Sequence, residues 1–140
     1  MTAGNGEVSL EGAIDCDGHI LEPPDLWEKY LERQYRDRAI RIKKDDEGWE
    51  YLEFDGKPSR MNQRGFPGIF GAMGQPDILP SPERTYLAGA PFGSMDPKER
   101  IERIEGEGLV KAILYPTIGL LWECEIEDPE ISAANPRTES

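Results

Sequence analysis

The stretch "IDCDGH" places an acid and the only histidine of the chain two positions apart, as Asp17 and His19. Side chains alternate between the two faces of an extended strand, so both are predicted to project from one face, about 6.6 Å apart along the strand. A carboxylate and an imidazole are ordinary ligands of zinc, manganese and iron. Asp17 and His19 are therefore candidate ligands of a divalent metal, with zinc expected first and manganese or iron as alternatives.

The other two residues of this stretch are not predicted ligands. Asp15 shares the face of Asp17 but lies deeper in the strand, where a hydrogen bond to neighbouring backbone is expected. Cys16 points to the opposite face and is expected to be a small core residue and not a nucleophile. Because 28 of the 140 residues are acidic, an acid two positions before the histidine also arises by chance, and spacing alone leaves metal binding open.

A strand and a helix are predicted to position the candidate ligands. "GAIDCDGH" has the pattern of a short buried strand, and "PPDLWEKYLER" that of a helix whose paired prolines suit its first turn. The residues expected on the buried face of this helix are Leu26, Trp27, Tyr30 and Leu31.

A second helix and a second strand follow near residue 96. In "DPKERIERIEGEG", Asp96 is a predicted N-cap before Pro97, and Ile101 and Ile104 are expected to face the core. The run "LVKAILYP" is nearly continuous in apolar residues, which is typical of a parallel strand covered on both faces. We expect residues 109–115 to lie beside residues 13–17, parallel to them, through a right-handed crossover. This order predicts an α/β fold.

Residues 39–95 are predicted to be an insertion between these two units. Residues 39–54 alternate around "DDEG" and predict a β-hairpin, in which Asp45, Asp46 and Glu47 form a solvated turn and not a calcium site. Residues 55–95 are dense in glycine and proline without a sustained period, which is typical of a lid or binding loop. This segment is expected to be the most mobile part of the chain.

The composition limits the partners and the compartment. With a net charge of −12, the chain repels nucleic acid and anionic membranes. It shows no apolar stretch long enough for a bilayer and no signal core at its start, so a cytoplasmic location is expected. Cys16 and Cys124 are not expected to form a disulfide. The expected organisation is a flexible arm over residues 1–12, a domain over 13–134 and a disordered tail over 135–140.

The stretch "IDCDGHILEPPDLWEKYL" resembles the opening of the amidohydrolase-related family, a branch of metal-dependent barrel hydrolases and decarboxylases. In that branch the first strand often ends in an acid-x-His motif, which matches Asp17 and His19, and Glu22, the two prolines and Trp27 follow in the family's order. "FGSMDPKERIERIEGEGLVKAILYPTIGLLW" is similar to the family's first full helix and second barrel strand.

This resemblance implies the N-terminal portion of a (β/α)8 barrel, with a divalent metal at the carboxyl ends of its strands. It implies hydrolysis of a small amide, ester or lactone, or decarboxylation of a small carboxylate. The family's remaining ligands, one or two histidines and a late aspartate, would lie beyond Ser140. The chain is therefore expected to be truncated, inactive alone and prone to self-association through uncovered strands.

Two other interpretations stay open at this level. "AIDCDGHIL" also resembles the nucleophile strand of haloacid-dehalogenase-type phosphatases, with Asp15 as nucleophile and Asp17 as general acid/base, but His19 stands where that family has threonine. Alternatively, the chain is a non-catalytic interaction fragment that presents Phe66, Phe70 and Tyr86 to a partner. A structural role for these aromatics, as a cover for the hairpin, is the competing expectation.

Overall fold

The structure, a computed structural model, describes residues 9–134. Two of its strands form a parallel pair, β1 (Ile14–His19) and β5 (Lys111–Tyr115), which runs from Ile14 opposite Lys111 to His19 opposite Tyr115 with one shift of register between them. The predicted parallel neighbourhood of these two segments is confirmed. The predicted tail, and most of the predicted N-terminal arm, lie outside the described residues.

The other elements complete a mixed α/β arrangement. A second sheet is antiparallel and has three strands, in the order β2 (Arg41–Lys44), β3 (Glu50–Phe54) and β4 (Lys57–Pro58). The other elements are, in chain order, α1 (Leu26–Tyr30), a 3-10 helix (Arg33–Arg38), β2 (Arg41–Lys44), β3 (Glu50–Phe54), β4 (Lys57–Pro58), α2 (Phe66–Gly71), α3 (Pro97–Gly106), a 3-10 turn (Gly119–Leu121), α4 (Trp122–Glu125) and α5 (Pro129–Ala134).

The antiparallel sheet contains the segment for which the sequence predicts a hairpin. β2 and β3 pair from Arg41 opposite Glu53 to Lys44 opposite Glu50. At the turn, the Asp45 carboxylate accepts hydrogen bonds from the backbone N–H groups of Glu47 and Trp49, at 3.0 and 2.9 Å. Arg64 pairs with the same carboxylate at 3.1 Å. The acidic side chain of Asp45 is thus engaged in closing the turn.

Helix α3 begins where its capping residues predict. The Asp96 carboxylate accepts hydrogen bonds from the backbone of Lys98 at 2.7 Å and of Glu99 at 3.2 Å. The expected buried face is wrong, however, since Ile101 is 57% exposed and no residue of α3 is fully buried. The apolar face of α3 is therefore only partly buried by the rest of the described chain.

Helix α1 is shorter than predicted and buries a narrower face. Trp27 and Leu31 are 1% and 0% exposed, as expected, and Leu26 is half-buried. Tyr30, by contrast, is 67% exposed, so its expected place on the buried face is wrong. The helix ends at Tyr30, and Leu31 continues in extended backbone, which ends the helical periodicity that the prediction assumed.

The glycine- and proline-rich segment over residues 55–95 contains one helix and close backbone packing. Helix α2 lies against the antiparallel sheet, and the backbone at Gly68 and Gly71 approaches the chain at Arg84 and Tyr86. A Cβ built at Gly68 would lie 2.1 Å from the Arg84 carbonyl oxygen. The glycines of this segment therefore serve packing as well as turns.

One continuous core joins the antiparallel sheet to the C-terminal helices. Leu31, Ile40, Leu52, Ile118 and Ile131 are each 0% exposed and belong to one cluster with Trp27, Phe54, Tyr86 and Trp122. Arg38 reinforces the same junction, because it donates to Asp55 after β3 and to Asp128 before α5. Among residues 9–134, no helix has the length and apolar character needed to cross a membrane.

Candidate functional site

The candidate site lies at the carboxyl end of β1, where the strand is irregular. One extra residue of β1 lies between Asp15 and Gly18 relative to β5, which is the pattern of a β-bulge. At the bulge, the backbone N–H of Asp17 donates to Asp15 Oδ1 at 3.0 Å. The backbone hydrogen bond expected for Asp15 is thus present. The regular alternation that placed Asp17 on the face of Asp15 does not hold through the bulge.

The side chains of this stretch differ in exposure. Asp17 is exposed, whereas Asp15 and His19 are half-buried. Cys16 is also exposed, so the expectation that it is a core residue is wrong. Both Cys16 and Cys124 are free thiols, in agreement with the absence of a predicted disulfide.

The His19 ring is oriented by the loop that follows the neighbouring strand. Its Nδ1 lies 3.1 Å from the Pro116 carbonyl oxygen and 3.4 Å from Thr117 Oγ1. A carbonyl oxygen can only accept a hydrogen bond, so this contact places the hydrogen of the neutral ring on Nδ1. Nε2 then carries the lone pair, which is the form that binds a metal.

The buried carboxylate of Glu22 binds the same loop through backbone hydrogen bonds. Glu22 is 0% exposed and accepts three backbone hydrogen bonds, from Thr117 at 2.8 Å, Ile118 at 3.1 Å and Gly119 at 2.9 Å. Its negative charge is therefore met by three amide dipoles in place of water. This arrangement fixes the backbone immediately after Pro116.

Tyr86 contacts Glu22 through its hydroxyl group. The Tyr86 hydroxyl donates to the Glu22 carbonyl oxygen at 3.1 Å and lies 3.5 Å from Glu22 Oε2. Burial, the negative charge of Glu22 and the hydrogen bond to its side chain raise the pKa of Tyr86, so the hydroxyl stays protonated and remains a donor. The Tyr86 backbone N–H in turn donates to Glu50 Oε2 on β3, at 2.7 Å.

Tyr86 and the two phenylalanines are packed inside the structure. Tyr86 is 1% exposed, and Phe66 and Phe70 are half-buried and meet edge to face with their ring centroids 4.8 Å apart. Phe70 and Tyr86 both pack with the core that includes Leu52 and Phe54 of β3. These contacts agree with the structural role expected for the aromatics and leave Tyr86 with no surface for a partner.

A cleft of about 310 Å³ adjoins His19. Arg100 and Arg103 of α3 bring two guanidinium groups to its wall; Arg100 donates to the His19 carbonyl oxygen at 2.6 Å, and Arg103 pairs with Glu107 at 2.5 Å. Arg100 Nε is buried without a hydrogen-bond partner among the described residues. The other lining residues are Leu21, Met73, Pro91, Phe92 and Ser94.

The described part of the chain supplies only part of a metal site. Within residues 9–134, no three His, Cys, Asp or Glu side chains come together in a way that could hold a metal ion. Asp17 and His19 are the two candidate metal ligands at the carboxyl end of β1. The sequence indicates Glu22 only by its place after the acid-x-His motif, and no local pattern predicts the roles of Pro116 and Thr117.

The described residues form a mixed α/β unit with a parallel strand pair whose carboxyl ends carry the candidate site. No protein-family model matches the sequence, and no curated protein matches it. Among solved structures, the chain is similar to a crystal structure of an amidohydrolase from Mycobacterium avium subsp. paratuberculosis K-10, with a TM-score of 0.63 at 20% sequence identity.

This similarity covers 91% of the chain and 36% of the amidohydrolase, so the chain spans about a third of that protein's length. At this level of identity the similarity concerns the fold. It confirms the expectation from the sequence that the chain folds like a portion of an amidohydrolase.

Proposed function

We propose that this chain carries the first-strand portion of an amidohydrolase-type, metal-dependent active site on a (β/α)8 barrel. The reaction would be hydrolysis of a small amide, ester or lactone, or decarboxylation of a small carboxylate. The observation that carries this proposal is the contact between His19 Nδ1 and the Pro116 carbonyl oxygen at 3.1 Å, which leaves Nε2 available at the end of a parallel strand.

The chemistry of this contact supports a ligand role for His19. Histidines that bind metals commonly donate their other ring N–H to a carbonyl or carboxylate, which fixes the ring and makes Nε2 more basic. Pro116 supplies such a carbonyl from the end of the adjacent strand. Sites of barrel enzymes lie at the carboxyl ends of the strands, and His19 is the last residue of β1.

The metal would be a divalent ion, zinc before manganese or iron, held by Asp17 and His19 together with ligands that the described residues do not contain. Catalytic zinc usually has three protein ligands, so these two donors alone fit a weak site. A bound metal supplies Lewis-acid polarisation of a substrate oxygen or an activated water. Arg100 and Arg103 beside His19 suit a substrate that carries a carboxylate.

The phosphatase alternative finds less support at the same residues. Asp15 would be its nucleophile, but Asp15 Oδ1 accepts the backbone N–H of Asp17 and the side chain is half-buried. No observation on the described residues favours that function over the metal site.

Zinc titration of the chain tests the proposal. We expect weak binding to the wild type and about tenfold weaker binding or none after His19→Ala or Asp17→Asn, because each change removes one of two ligands. Asp46→Asn is the matched control, since Asp46 is an exposed acid in the β2–β3 turn. Zinc binding that is unchanged in His19→Ala, or absent from the wild type at millimolar zinc, would contradict the proposal.

Assays on small aromatic acids, amides and lactones complete this test. The chain alone is expected to show no turnover, because two ligands do not hold a catalytic metal firmly. Turnover that persists in His19→Ala would show that the reaction does not use this site.

A further inference from the structure

Glu22 lies three residues after His19 and holds the loop that orients it. We propose that Glu22 is a positioning residue for His19: through the backbone of Thr117, Ile118 and Gly119 it fixes the Pro116 carbonyl, and thereby the ring tautomer that presents Nε2. The ligand role of Nε2 rests on the proposed function, whereas the effect of Glu22 on the tautomer does not.

The Glu22 carboxylate accepts backbone hydrogen bonds with both of its oxygens. Oε1 accepts from the N–H groups of Thr117 and Gly119 at 2.8 and 2.9 Å, and Oε2 accepts from Ile118 at 3.1 Å. Three successive N–H groups therefore converge on one side chain. They follow Pro116 directly, so they determine the direction in which its carbonyl points.

Further hydrogen bonds join the two chain segments beside His19. Thr117 Oγ1 donates to the Ile20 carbonyl at 2.6 Å, and the Ile20 N–H donates to the Tyr115 carbonyl at 3.0 Å. With Glu22 bound to the same loop, the residues that follow His19 are tied to the residues on both sides of Pro116. The separation of His19 Nδ1 and the Pro116 oxygen is thus set by backbone contacts and not by the ring alone.

A carboxylate suits the position of the Glu22 side chain better than a neutral amide does. Glu22 is 0% exposed, and a buried charge is costly unless it is well satisfied. Two carboxylate oxygens can accept from three divergent N–H groups and a hydroxyl, whereas an amide offers one accepting oxygen and an NH₂ that would face a donor. A glutamine at this position would therefore lose at least the Ile118 contact.

The chain offers a matched control in Glu125, a second buried carboxylate with a similar set of partners. Glu125 is 8% exposed and accepts from Ser59 Oγ at 2.5 Å and from the backbone of Arg60 and Met61, each at 3.1 Å. These partners belong to the loop after β4. Glu125→Gln should therefore perturb stability in a comparable way without changing the loop that contacts His19.

The experiment uses the single histidine of the chain, which gives one imidazole signal set after histidine-selective ¹⁵N labelling. In the metal-free wild type at about pH 8.5, well above the ordinary histidine value of about 6.5, the ring ¹⁵N shifts should report mainly the Nδ1–H tautomer. In Glu22→Gln they should move to a mixture of tautomers, while Glu125→Gln should retain the wild-type shifts. A folded Glu22→Gln protein with wild-type shifts, or an equal change in Glu125→Gln, would overturn the inference.

If Glu22→Gln does not fold, Tyr86→Phe provides a second test of the inference. It removes the hydroxyl that contacts the Glu22 carbonyl and Oε2, while the three backbone contacts remain. A smaller shift change in the same direction is expected, and no change would count against the inference. Zinc titration of the wild type separates the two proposals: tautomer control by Glu22 without zinc binding would refute only the proposed function.

Discussion

The backbone at Gly71 lies so close to Tyr86 that a Cβ built on Gly71 would be 2.0 Å from the Tyr86 carbonyl oxygen. Both chain segments are buried here, and Tyr86 contacts Glu22 with its hydroxyl and Glu50 with its backbone N–H. The Tyr86 segment cannot move away from Gly71 without breaking these contacts. The close approach of Gly71 thus links helix α2 to the residues that hold Glu22.

Gly71→Ala should destabilise the protein by about 1–3 kcal/mol or more, because the added methyl group overlaps backbone that cannot move freely. Gly106→Ala is the control, since no atom of residues 9–134 lies within 4 Å of a Cβ built at this position at the end of α3. That variant should be neutral or more stable by about 0.5–1 kcal/mol. Urea unfolding followed by circular dichroism measures both, and equal effects would refute the packing role of Gly71.

The ion pairs of Arg38 should make stability depend on pH in the acidic range. Hydrogen bonds from the Arg38 guanidinium lower the pKa of Asp55 and that of Asp128. A carboxylate whose pKa is lower in the folded state contributes stability that is present above its unfolded value, about 3.9, and is lost as the pH falls through its folded value. Asp55→Asn should therefore cost about 1 kcal/mol near pH 7 and progressively less below about pH 4.

Urea midpoints of the wild type and Asp55→Asn, measured from about pH 7 down to about pH 3, test this dependence. Asp46→Asn serves as the control, because Asp46 is exposed in the β2–β3 turn. A difference between the wild type and Asp55→Asn that stays constant across this range would show that the ion pair is not its cause.

The segment over residues 55–95 should exchange its amide hydrogens unevenly. Residues 73–80 are all exposed, whereas α2 is packed against the antiparallel sheet, and the Ala72 N–H donates to the Gly68 carbonyl at 3.2 Å. Fast exchange is expected over residues 73–80 and slower exchange over residues 66–72. Hydrogen exchange read by mass spectrometry distinguishes these regions, and uniformly slow exchange would contradict the expectation.

The sequence predicted those parts of the fold that depend on local pattern. The apolar runs around Ile14 and Ile113 predicted the parallel pair, and Asp96 before Pro97 predicted the start of α3. Side-chain burial is less predictable, because it depends on which elements pack together in the tertiary structure. Ile101 and Tyr30 have helical spacing that favours a buried face, yet both are exposed, since no described element covers them.

For the candidate site, the sequence predicts only the short motif that contains Asp17 and His19. Asp17 and His19 are only two positions apart, so their spacing is visible in the sequence, whereas the bulge between Asp15 and Gly18 is not. The contacts of His19 with Pro116, and of Glu22 with Gly119, each join residues about 97 positions apart. No local pattern encodes such long-range hydrogen bonds.

The uncovered face of the parallel pair should drive self-association. Ile14, Ile113 and Tyr115 share one face by their register, and they are 54%, 49% and 41% exposed. Apolar side chains on a two-stranded sheet with open edges favour contact with a second copy. The net charge of −12 opposes this contact, so association should strengthen as added salt screens the repulsion.

Sedimentation velocity over a range of protein and salt concentrations measures this association. Ile113→Lys should weaken it by about tenfold, because the change removes apolar contact and buries a charge in the interface. Leu79→Lys is the matched control: Leu79 is 78% exposed and lies outside the sheet, so it changes the net charge equally without altering the face. Since a lysine also lowers the net negative charge, Leu79→Lys should associate as the wild type does or slightly more strongly. A chain that stays monomeric at all concentrations, or equal behaviour of the two variants, would show that this face does not mediate contact between copies.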